Sequence, residues 1–115
     1  YEKIYEYNLS NINENTITIE ISYHSISKFS NGDGSTRSIS LSDPLSDLIN
    51  NSYAIKHHII TDHTFNGVLE IDGSFIFTDG LNENKKLRIS NKGESIILTF
   101  IDSHWYINNA GGEVI

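Results

Sequence analysis

At 115 residues, with 8 basic against 15 acidic side chains and a formal charge of −7, the chain fits a single domain over 1–115 and opposes non-specific attachment to nucleic acid or an anionic membrane. Cysteine is absent, which excludes disulfides, thiolate metal sites and a cysteine nucleophile. No apolar run approaches the ~20 residues of a membrane-spanning helix, the first residues lack the basic-then-apolar order of a signal peptide, and an initial Tyr1 leads us to expect a fragment of a longer chain.

Tyr1, Tyr5 and Tyr7 recur at even spacing, as on the aromatic face of a strand or at a subunit contact. Thr16 to Tyr23 alternates polar and apolar for its whole length, which puts Ile17, Ile19, Ile21 and Tyr23 on one face of a half-buried strand. Asn31-Gly32-Asp33-Gly34 then supplies residues that tolerate positive φ in a tight turn. Further strands are expected at Ser38 to Leu41, Tyr53 to Ile60, Val68 to Ile71, Phe75 to Thr78, Leu87 to Ser90, Ile96 to Ile101 and Trp105 to Ile107. Asn66-Gly67, Asp72-Gly73, Asp79-Gly80 and Lys92-Gly93 punctuate them. One short helix is expected near 43–50, with Ser42 or Asp43 as cap and Pro44 in the first turn. No internal repeat stands out. With no helices alternating with the strands, the pattern reads as all-β, an antiparallel sandwich or jelly roll of about eight strands.

Few constellations support chemistry. His57, His58 and His63 crowd beside Asp62, and imidazole with carboxylate can bind zinc, copper or nickel. On a strand, however, His57 and His58 point to opposite faces, so at most one could join His63 in a metal site. Adjacent Asp102, Ser103 and His104 cannot aim at one another as orienter, nucleophile and base must. G-x-S-x-G, phosphate-loop and H-E-x-x-H motifs are missing, and nothing selects two carboxylates for glycoside hydrolysis. Asn31 to Ser35 resembles a calcium loop but lacks the later bidentate Glu, so a plain turn is expected. Neither enzyme activity nor a cofactor is expected. Trp105 and Tyr106 alternate, so one faces inward; the other, beside Asn108 and Asn109, could stack on a sugar ring while the amides bind its hydroxyls. Trp105 as the core anchor of the last strand is the simpler alternative.

The segment from Lys86-Leu87-Arg88-Ile89 through Ile96-Ile97-Leu98-Thr99-Phe100-Ile101 and His104-Trp105-Tyr106-Ile107 to Gly111-Gly112, preceded by a hairpin expected at Gly67-Val68-Leu69-Glu70-Ile71-Asp72-Gly73-Ser74-Phe75, resembles the C-terminal head domains of fibre and tail proteins of bacteriophages and large DNA viruses. The resemblance covers about residues 53–115 and implies a homotrimeric β-sandwich that caps a fibre at the virion surface and contacts a host glycan or protein receptor. Asn31 to Ser35 and Asp62 to Asn66, with Asp33, Asp62 and His63, are then candidate receptor loops. Ile96-Ile97-Leu98 is apolar on both strand faces, so a second buried surface is expected. Copies of the chain would cover it through Ile96, Leu98 and Phe100, with Tyr5 and Tyr7; a loop or the short helix packed over the strand is the alternative. Rival readings are a carbohydrate-binding module of a larger enzyme and a small metal-dependent β-barrel enzyme using His57 or His58 with His63.

Overall fold

The computed structural model describes residues 3–19, 21, 24–41, 55–72, 75–77, 80–81, 86–101, 104–110 and 113–114. They form β1 (Lys3–Asn8), β2 (Thr16–Thr18), β3 (Ser25–Ser30), β4 (Thr36–Ser40), β5 (Ile55–Thr61), β6 (Val68–Asp72), β7 (Phe75–Phe77), β8 (Gly80–Leu81), β9 (Leu87–Ile89), β10 (Ser95–Ile101), β11 (His104–Ala110) and β12 (Glu113–Val114), with a single 3-10 turn at Leu9–Asn11. Seven strands make one sheet in the order β1-β3-β5-β10-β11-β7-β8, and five make the other, β12-β9-β6-β4-β2. The domain is all-β, as its patterning requires. The short helix near 43–50 and the side chain of Tyr23 lie outside the described residues.

The pairing direction corrects the antiparallel expectation. Both sheets are mixed: β1, β3 and β5 run parallel in one, and β2, β4 and β6 run parallel in the other. Parallel neighbours need a long crossover, which a helix usually supplies. Here each crossover is a strand of the facing sheet, so the chain winds through three stacked rungs. Lys3 lies beside Ser25 and Ser25 beside His57, while Thr16 lies beside Ser38 and Ser38 beside Glu70, steps of 22 and then 32 residues in both sheets. The longer step takes up its extra length between β4 and β5. An internal repeat therefore exists, written as Thr16-Ile17-Thr18-Ile19, Ser38-Ile39-Ser40-Leu41 and Glu70-Ile71-Asp72. After β6 the chain reverses. β9 pairs antiparallel with β6 and β10 with β5, and together they close the third rung.

Stacking in register builds the core. Ile17, Ile39, Ile71 and Leu87 form one continuous buried row across the five-stranded sheet. Facing it are Phe29, Ile55, Ile59, Ile96, Leu98, Phe100 and Trp105 of the seven-stranded sheet. Each such side chain contributes about 1.5–3 kcal/mol by leaving water. Hydropathy alternation alone misses β3, because its inward residues are Ser25, Ser27 and Phe29 while Ile26 points outward and is half-buried.

The turns at one rim also stack. Asn66 N donates to Asn31 O at 2.8 Å, Gly34 N to Asn66 O at 3.1 Å and Val68 N to Ser35 O at 3.2 Å. Gly32 permits this approach: its φ is +114°, and a Cβ there would stand 2.3 Å from the Asn66 carbonyl oxygen. Gly32→Ala is expected to force these turns apart at a cost of about 2 kcal/mol, read as a lower urea midpoint with unchanged slope. Gly93→Ala is the control. Its φ is +84° but nothing lies within 4 Å, so it should cost about half as much, and equal losses would show that the close approach is not what matters.

Candidate functional site

The two turns singled out as receptor loops are held by their own carboxylates. Asp33 Oδ1 accepts from Ser35 N at 3.0 Å and from the Ser35 hydroxyl; these bonds lower its pKa from the ordinary carboxylate value. Asp62 Oδ1 accepts from Thr64 N at 2.8 Å and Thr64 Oγ1 at 2.6 Å. Partial burial opposes ionisation there, but the bonds from Thr64, with His63 and Lys28 nearby, prevail and lower its pKa too. Asn31 Nδ2 reaches Asn8 Oδ1 at 3.0 Å, and Asn31 N reaches Thr64 Oγ1 at 3.1 Å, so the polar rim is laced across all three rungs. Asp33, His63, Thr64 and Asn66 remain exposed on it.

Beneath this rim sits Arg37, which patterning did not single out. It is buried, with Nη1 donating to Ile12 O at 2.7 Å and Glu14 O at 3.2 Å, and Nη2 donating to Leu9 O at 3.2 Å. A guanidinium thus gathers the carbonyls of the first-rung turn, as its planar fork allows. The residue follows directly on the Gly-rich turn at an inward position of the strand, and a cation at such a position is the signal that could have exposed it.

The aromatic pair divides as alternation requires. Trp105 is fully enclosed, edge-on to Phe100 at 4.9 Å, and so cannot serve as a sugar platform; Tyr106 is exposed on the other face. Asn108 and Asn109 lie on β11, where Asn109 is opposite Ile97 and Asn108 is the extra residue of a bulge between the Ile97 and Leu98 pairings.

The contact residues expected on β10 also need correction. Ile96, Leu98 and Phe100 are enclosed within one protomer, because they share the inward parity of His57 and Ile59 on the adjoining strand. The residues of outward parity are Ile97, half-buried, Thr99, which is nonetheless buried, and Ile101, 42% exposed. Ile97 and Ile101 share the outer face of the seven-stranded sheet with Ile4 at 57% exposure, Ile26, Ile60 and Tyr106, and with the Glu6–Lys28 ion pair, Lys56 and His58. Tyr5 and Tyr7 face the other way, half-buried, with Tyr7 stacked on Phe29 at 4.9 Å and Lys3 over the Tyr5 ring. The outer face of the five-stranded sheet differs. There Arg88 bridges Glu70 at 3.3 Å and Glu113 at 3.4 Å across three strands, and Lys86 pairs with Asp72.

The three clustered histidines diverge. His57 is enclosed between the sheets, His58 is half-buried on the outer face and His63 is exposed in its turn. Among the described residues, no three His, Asp or Glu side chains are grouped to hold a metal. His57 is instead held by two serines, Ser25 Oγ at 2.8 Å from Nδ1 and Ser27 Oγ at 2.8 Å from Nε2. In either neutral tautomer one ring nitrogen donates and the other accepts, so both are satisfied.

The fold and these surfaces define a class: a two-sheet all-β domain of stacked rungs with a polar turn rim and exposed aliphatic residues on one sheet face. No protein family, no curated protein and no solved structure matches the chain.

Proposed function

We propose that this domain is a non-catalytic structural module that self-associates, as the head of a homotrimeric virion fibre does, and offers its turn rim to a host glycan or protein. The observation that carries the reading is the contrast between its two outer faces. Ile4, Ile101 and Tyr106 stand exposed beside half-buried Ile26, Ile60 and Ile97 on the seven-stranded sheet, interrupted by the Glu6–Lys28 ion pair and Lys56, whereas the described outer residues of β6 and β9 on the other sheet are mainly tied in ion pairs. Exposed aliphatic and aromatic side chains gathered on one sheet face, with polar residues among them, suit a surface that another chain covers. The polar groups within the domain favour structure over catalysis: His57, Asp33 and Asp62 are engaged by neighbouring Ser and Thr side chains.

Association would join finished protomers. The accessible surface is 6443 Å², close to the roughly 6300 Å² expected of a compact monomer of this size, and the buried residues form one cluster within the protomer. Light scattering at micromolar concentration should return three times the mass of the chain. Ile4→Lys with Ile101→Lys should return the mass of one chain that still unfolds cooperatively, since both residues are exposed, with a midpoint that no longer depends on protein concentration. A monomeric parent protein would refute the self-association, and a silent glycan array would remove the sugar-receptor role.

A further inference from the structure

His57 is a buried base at the middle of the seven-stranded sheet, and among the described residues no carboxylate lies beside it. Its strand, β5, lies between β3 and β10. From β3 come the neutral hydroxyls of Ser25 and Ser27, and from β10 the opposing residue is Leu98. Beyond β3, β1 offers Lys3, in register with Ser25, and the phenols of Tyr5 and Tyr7. Leu69, Ile71, Leu87 and Ile89 are the buried residues of β6 and β9 in the facing sheet. On β4 the buried ionisable group is Arg37, whose guanidinium is already bound by carbonyls. The next residue, His58, would add a like charge. Every ionisable neighbour among the described residues is therefore cationic or a neutral phenol. The described carboxylates sit in turns or on outer faces.

We propose that Ser25, His57 and Ser27 form an acid-sensitive latch between the second and third rungs, strongest while the imidazole is neutral and weakened when it takes up a proton. The two serine hydroxyls tie β3 to β5 through one ring; both can accept from an imidazolium, so what opposes protonation is the burial of a charge with no counter-ion among the described residues. Burial, with a smaller contribution from His58, holds the His57 pKa down at about 4 in the fold. In the unfolded chain the same ring titrates near 6.5. Between those values the unfolded state binds more protons, so stability falls as the pH drops from about 6.5 and the loss is complete near 4.

Two measurements test the latch. In the intact domain, NMR of the histidine rings should give His57 a titration midpoint more than one unit below that of the same ring in the urea-unfolded chain; coincident midpoints would overturn the proposal. In urea unfolding at pH 7 and pH 5, the folded-to-unfolded ratio of the parent protein should fall about twenty-fold more than that of His57→Gln. His63→Gln, in an exposed turn, should keep the parent's response. Equal pH responses of the parent and a folded His57→Gln would also overturn it. If that variant does not fold, the ring titration decides alone.

Discussion

Trp105→Ala is expected to cost about 3–5 kcal/mol, a large share of the roughly 5–15 kcal/mol by which a domain of this kind is folded. The indole is fully enclosed, lies opposite Phe100 across the β10–β11 pairing and meets that ring edge-to-face at 4.9 Å. Its removal leaves a void that two stacked sheets, held in register on both sides, can collapse into only in part. Trp105→Phe should be far milder, about 1–2 kcal/mol. The indole Nε1 is buried with no hydrogen-bond partner among the described residues, so phenylalanine removes an unpaired donor along with some volume. Urea unfolding followed by far-ultraviolet circular dichroism measures both variants, since the mutation deletes the single tryptophan fluorophore. A loss below 1 kcal/mol for the alanine variant would contradict the enclosed position and return Trp105 to the surface as a sugar platform.

Arg37→Leu is the second large effect, at about 3 kcal/mol. The leucine keeps the inward position apolar but leaves the Leu9, Ile12 and Glu14 carbonyls without their common donor. Arg37→Lys should recover less than half of the loss, because a compact ammonium cannot span carbonyls that a planar fork reaches with two nitrogens. Hydrogen exchange locates the damage: amides in the 9–15 turn should exchange faster in both variants, while those of β10 change only with global stability. If exchange in that turn were unaltered, the guanidinium would not be what holds it.

These two residues differ in how readable they are from the sequence. Trp105 sits in a strongly apolar strand pair, where alternation with Tyr106 already implies that one ring is inside. Arg37 breaks the pattern of its strand, and its role depends on carbonyls of a turn more than twenty residues earlier. The histidines divide likewise. Opposite faces for His57 and His58 follow from strand geometry alone, but the side that His57 takes, and its two serine partners, follow from β3 lying beside β5.

Local side-chain periodicity and turn chemistry determined the all-β character, most strand positions and the Gly-bearing turns, because these properties act over a few residues. Pairing direction, the 22-residue step between rungs and the inward turn of Ser25 and Ser27 were decided only by tertiary structure. Parallel neighbours are joined through a strand of the opposite sheet, and no local pattern records that route. A serine's burial depends on the imidazole that meets it from 30 or more positions away. For the same reason Ile96, Leu98 and Phe100 turn inward and leave Ile97 and Ile101 outside: the strand is apolar on both faces, and only its register with β5 assigns one of them to the core.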